Sequence, residues 1–202
     1  SNDMTIQTVA GAAGIGKDAG VGAAISVNVV TNTTEAFVDS GTASGERSDI
    51  DASGTFTVEA SSTINPRKLD LPFIDEADDP LMSGVSISGG AGANGAAVGG
   101  SLVVDVFTLE TQAYIGAGAH VNDVKTGTGQ DILIQATDTT VLKGGAGGLG
   151  ASGNSAGIGI GLHVGVIEKD TRAYIGPSAQ VHAQRNVTVQ ATSSEDILSI
   201  AV

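Results

Sequence analysis

The chain has 202 residues, no cysteine and a formal net charge of −13. It therefore forms no disulfide or zinc–thiolate site and has no Cys nucleophile, and its charge repels nucleic-acid phosphates and anionic lipid surfaces. With 41% hydrophobic residues but only 4 Phe, 2 Tyr and no Trp, a core must be built from short, closely packed side chains.

The first element, GAAGIGKDAG (11–20), imitates a phosphate-binding loop. Gly11, Gly16 and Lys17 fit G-x-x-x-x-G-K-[ST], but Asp18 stands where a hydroxyl should hold Mg²⁺. An acid there repels phosphate, and the residues that follow read as a strand, not the required helix. In VGAAISVNVVTNTTEAFV (21–38), Ile25, Val27 and Val29 alternate with Ser26 and Asn28. Period two with β-branched residues predicts a strand, with the Ile and Val side chains pointing inward. A small acidic pair, Asp49-x-Asp51, follows, and then the strand phrase GTFTVEASS.

PRKLDLPFIDEADDPLM (66–82) holds three of the four prolines and five acids, so it reads as an inserted loop. Asp75, Glu76, Asp78 and Asp79 crowd it and are the candidate ligands for a calcium ion, which takes several oxygen donors. The alternative is a solvated acidic loop; neither an EF-hand nor a β-roll nonapeptide is present.

The glycine strand SISGGAGA then leads into VGGSLVVDVFTLETQAYI (98–115) and QDILIQATD. VLKGGAGGLGASG leads in the same way into IGIGLHVGVIEKDTRAYI (158–175) and RNVTVQATS. Segments 21–38, 98–115 and 158–175 align without a gap, with Thr34, Thr111 and Thr171 in one column. The copies lie 77 and 60 residues apart, and the excess of 17 is the length of 66–82. Such repetition indicates stacked repeats, here about 5–65, 83–140 and 141–202 in a single unit. Lys17-Asp18, Asn94-Gly95 and Asn154-Ser155 share the turn between glycine strand and alternating strand. Asn-Gly favours a type I′ turn, which predicts Gly/Ala-rich β-hairpins.

Other motifs yield to the same pattern. G-x-G-x-x-G occurs at Gly90, Gly92, Gly95 and at Gly145, Gly147, Gly150, but a strand follows each, where a dinucleotide site needs a helix. His120, His163 and His182 are not matched across copies and are expected as scattered surface residues. Phe37, Tyr114 and Tyr174 share one column, which predicts a stacked aromatic ladder in preference to a sugar platform. Asn32 and Asn186 match a glycosylation pattern but lie in or beside strands, so they read as structural.

The glycine-alanine segments, T-R-A-Y-I-G-P-S-A-Q-V-H-A (171–183) and R-N-V-T-V-Q-A-T (185–192) resemble repeats of very large bacterial filamentous-haemagglutinin-like adhesins and leukotoxin-type exoproteins. The likeness covers nearly the whole chain except 66–82. It implies an all-β fold, a right-handed parallel β-helix or related β-solenoid, in an exported protein at the bacterial cell surface or outside the cell. The expected function is a structural repeat module, a rigid stalk that displays loops. Its partners would be flanking repeats of the parent polypeptide and a host or matrix surface ligand, with no nucleic acid and no membrane span. A calcium- or carbohydrate-binding module centred on 66–82 is the alternative. A polysaccharide-modifying enzyme ranks lower, since the 9 Lys and Arg form no visible cluster with acids. No catalytic residue and no resident cofactor is expected.

Overall fold

The computed structural model describes residues 1–40, 47–68, 81–124 and 128–202. Asp75, Glu76, Asp78 and Asp79 lie outside those residues. Every described regular element is a strand: β1 (Asn2–Ile6), β2 (Thr8–Gly16), β3 (Gly20–Val38), β4 (Asp49–Ile50), β5 (Phe56–Lys68), β6 (Leu81–Met82), β7 (Gly84–Gly92), β8 (Ala97–Ile115), β9 (His120–Val121), β10 (Ile132–Ser152), β11 (Gly157–Ile175), β12 (Gln180–Val181) and β13 (Val187–Ala201).

Three sheets share these strands, and every pairing but one is parallel. The first joins β1 to β5, β5 to β10, β10 to β7 and β7 to β2, with β13 on the other flank of β10. The second is β11-β8-β3, and the third, at the corner, is β12-β9-β4. In the second sheet Gly20 pairs with Ala97 and Ala97 with Gly157, and all 19 residues of each strand keep that register. The aligned segments are therefore neighbours in space, column by column. The exception is β5–β6, where Arg67 faces Met82 and Lys68 faces Leu81 antiparallel. These are the described ends of the predicted insertion.

The expected hairpins do not form. Each glycine strand bonds its equivalent in the next copy (β2 with β7, β7 with β10), not the alternating strand that follows it. The two strands are instead arched from one sheet to the facing one. The turn regions 17–19, 93–96 and 153–156 hold none of the positive-φ residues, which are Asn122, Ser178 and Gly118. A type I′ turn needs positive φ at both central positions, and an arch between sheets does not.

The orientation of the alternating strands is also reversed. Ile25, Val27 and Val29 are 64%, 55% and 69% exposed, whereas Ser26 and Asn28 are buried. Val103 and Asp105, in the columns of Ser26 and Asn28, are both 0% exposed. The reason lies in the facing sheet. A methyl added to Gly14 would strike the backbone of Val21, one on Gly99 the backbone of Leu149, and one on Gly150 the backbone of Ile158. Packed sheets normally stand about 10 Å apart with side chains between them. Here glycine, alanine and serine line the inside, and the sheets touch almost backbone to backbone. The larger aliphatic side chains have only the outside left.

Away from this thin fin the sheets diverge and a conventional core fills the gap. Val38, Val58, Ile115, Val121, Ile132 and Ile134 pack together beside the corner sheet. Ile64, Phe107, Leu109 and Leu142 form a second cluster. Each fully buried Ile, Val or Phe contributes about 1.5–3 kcal/mol, so stability resides mainly in this wide end.

Candidate functional site

Three places gather polar chemistry or unusual surface. The first is a buried polar row between the apolar core and the fin. His163 Nε2 lies 2.9 Å from Asp105 Oδ2, with the two side chains 1% and 0% exposed. Asn28 Nδ2 donates to Asp105 Oδ1 at 2.5 Å and to the carbonyl of Ser83 at 3.2 Å. His163 Nδ1 pairs with Ser199 Oγ at 2.7 Å. Register makes this possible: Asn28 and Asp105 share a column, and His163 lies one inward step away on the next strand. Gly84 and Gly144 supply the room, because a Cβ at Gly144 would fall on the imidazole and one at Gly84 would come within 2.9 Å of Val103.

Ser199, His163 and Asp105 thus repeat the donor order of a hydrolytic triad. Such a triad also needs N–H donors aimed at a developing oxyanion. The adjoining cavity, about 270 Å³, is walled by His163 and Ser199 themselves and by Leu142, Gly165, Ile167 and Ile197. Beyond those two side chains its lining is apolar, which favours a packing role: the trio satisfies buried polar groups where the sheets converge. A similar network sits deeper in the wide end. Lys169 Nζ lies 2.5 Å from Asp138 Oδ1 and 2.7 Å from Glu195, while Thr111 and Thr140 donate to Asp138. Glu195 is held below the usual carboxylate range by the Lys169 hydrogen bond first and by Ser193 second.

The second place is the corner, where Asp49, His120 and Asp123 present ligand atoms all within 4.8 Å of one another. His120 is buried and its Nδ1 lies 2.6 Å from Asp123 Oδ2. Arg47 Nε donates to Asp49 Oδ1 at 2.9 Å and its Nη2 lies 3.9 Å from Asp123 Oδ2. His182 Nε2, on the next rung, is 3.8 Å from Asp123 Oδ1. The backbone here is pinned. His120 N–H bonds the Ser48 carbonyl, Asn122 N–H the Ile50 carbonyl, and Asn122 takes φ 60°. Ala52 N–H donates to Asn122 Oδ1 and Val124 N–H to Asp51 Oδ1. The His120 hydrogen bond first, and the charges of His120, Arg47 and His182 after it, hold Asp123 below its ordinary range.

The third place is the outside of the fin. Val21, Ile25, Val27 and Val29 of β3 and Ile158, Ile160, Leu162, Val164 and Val166 of β11 are all exposed, with no charged residue among the outward positions between them. The opposite face carries Val9, Ile15, Ile87 and Leu149, also exposed. Beside this field the aromatic ladder forms as expected: Phe37–Tyr114 centroids are 5.2 Å apart and Tyr114–Tyr174 4.9 Å, with planes within 9°. Phe37 is 51% and Tyr174 38% exposed, so it runs along the surface. Desolvation first, then Glu35, raises the Tyr114 phenol.

Two of the three histidines are thus not surface residues, whereas His182 is exposed as expected. His120 and His163 are both inside, each paired with an aspartate. For His163 the signal was its column, which includes Ser26 and Val103 on the glycine-bearing parity. For His120 no column was countable, because the copies differ in length at the corner: Asp49 pairs with His120 at an offset of 71, against 77 for Val38 and Ile115. Asn32 is buried, which agrees with its structural reading. No helix among the described residues is long and apolar enough to cross a membrane. Comparison with family models, with curated proteins and with solved structures finds no match for this chain.

Proposed function

We propose that the chain is a β-solenoid segment of a bacterial surface or secreted adhesin-like protein and serves as a stiff spacer. The observation that supports this is β10. One unbroken strand of 21 residues contains the end of one copy and the glycine strand of the next, and pairs in parallel with β5, β7 and β13. The backbone thus passes from copy to copy without a hinge, and each copy completes its core only on its neighbours. No residue is assigned a catalytic role.

A tandem fusion tests the reading. Ala146 pairs with Ala201, which places Val202 opposite Gly147, in the column of Ile87 and Gly11. Joining Val202 directly to Ala12 of a second copy therefore continues the strand in register. This fusion is expected to scatter X-rays as one longer rod and to melt in one transition. Joining Val202 to Ala13 slips the register by one residue and turns every side chain to the wrong face, so two separate bodies are expected. If both fusions behave alike, the spacer reading fails.

A further inference from the structure

We infer that the corner is a binding site for a divalent cation of the zinc class, held by Asp49, His120 and Asp123 with His182 as fourth ligand. Two imidazoles and two carboxylates form a donor set that suits zinc, which accepts both N and O ligands. Calcium and magnesium take oxygen alone. The ligands come from three successive rungs: Asp49 on β4, His120 on β9 with Asp123 just after it, and His182 just after β12. A bound ion would therefore cross-link the stack at its corner.

The site is built, not an accident of flexible side chains. Asp123 is carried back over His120 by the left-handed turn at Asn122, and side-chain to backbone bonds from Asp51 and Asn122 fix the flanking chain. Zinc bonds of about 2.0–2.1 Å span ligand pairs of up to about 4 Å. The three ligand atoms, within 4.8 Å, need only a small closure, and Asp49 is exposed enough to make it; His182 stands outside that set, 3.8 Å from the other oxygen of Asp123, and its half-exposed ring swings in to complete the four. Arg47 shows that this pair of carboxylates draws a cation. Its guanidinium bonds Asp49 and reaches toward Asp123, acting as the stand-in cation that a metal ion would displace.

Titration calorimetry of the whole chain with zinc chloride, and separately with calcium chloride, tests the inference. One equivalent of zinc is expected to bind with micromolar affinity. Asp123→Asn and His182→Gln should each weaken it by about 10- to 100-fold. Because His182 is half exposed, its variant keeps the test valid if Asp123→Asn fails to fold. Arg47→Gln should tighten binding several-fold by removing the competitor, whereas in a mere ion-pair cluster it would only lower stability. Absence of saturable zinc binding overturns the proposal. So does equal affinity in the ligand variants, which would mean adventitious zinc on an acidic surface, and so does a response to calcium alone.

Discussion

Asp105 and His163 face each other across two neighbouring rungs, Oδ2 to Nε2 at 2.9 Å, with neither side chain in contact with solvent to any useful extent. A buried pair is costly to break from one side, because the survivor stays desolvated and uncompensated. His163→Ala is expected to cost about 3–5 kcal/mol in urea unfolding. Gly144→Ala should be similarly damaging, since its methyl would fall on the imidazole ring. In the His163→Ala background that clash is gone, so Gly144→Ala should then cost under about 1 kcal/mol. Additive losses in the double variant would show that ring and glycine do not meet.

Inside the fin the hydroxyls of Ser86, Ser88 and Ser101 are buried without a hydrogen-bond partner. An unsatisfied buried polar group costs about 1–3 kcal/mol, and removing it at constant shape recovers part of that. Ser88→Ala is therefore expected to be neutral or to stabilise by up to about 1 kcal/mol. Ser88→Val should destabilise, because nothing larger fits between the sheets. A loss of stability in Ser88→Ala would reveal a hydrogen bond at that hydroxyl.

The acid side of the pH profile follows from two carboxylates. Asp123 is held below its ordinary 3.8 by His120 and neighbouring charges, and Glu195 below its ordinary 4.5 by Lys169. A carboxylate whose folded value is depressed contributes stability above its unfolded value and loses it as pH falls through the folded one. Unfolding free energy should thus hold from neutrality to about pH 5 and decline below about pH 4.5. Asp123→Asn and Glu195→Gln should each flatten that decline in equilibrium unfolding across pH. An unchanged slope in both variants would dismiss these two groups as its source.

The antiparallel pair Lys68–Leu81 brings the two ends of the described chain together. Replacing 69–80 with Asn-Gly gives those ends a two-residue turn of the kind that closes hairpins. The melting transition should remain single, and stability should be unchanged or raised by up to about 1.5 kcal/mol through the shorter loop. A loss of cooperativity would mean that the replaced residues support the fold.

Much of this arrangement was legible in the sequence. The gapless alignment of 21–38, 98–115 and 158–175 became the strand register, and one aromatic column became the Phe37–Tyr114–Tyr174 ladder. The inward orientation expected for Ile25, Val27 and Val29, and with them for the aligned LVVDVF, fails because period two fixes a strand but not its inner face. Burying Leu102, Val104 and Val106 is the ordinary choice. It loses here because Gly99 shares parity with Val103, Asp105, Phe107 and Ile115, and that set closes against a glycine-rich sheet. The arches were missed because Asn-Gly carries no information on whether its flanking strands bond each other or a neighbouring copy. The corner cluster depends on spatial register across copies of unequal length, which spacing alone does not reveal.

The neighbouring glycines Gly99 and Gly100 test the central claim, that small residues face inward and aliphatic ones outward. A methyl at Gly99 would strike the Leu149 backbone, and one at Gly100 would meet nothing within 4 Å. Urea unfolding of the two alanine variants decides the matter. Gly99→Ala should lose about 1–3 kcal/mol through overpacking, and Gly100→Ala should be unchanged or gain up to about 1 kcal/mol. Equal losses, or a larger loss at Gly100, would contradict the account.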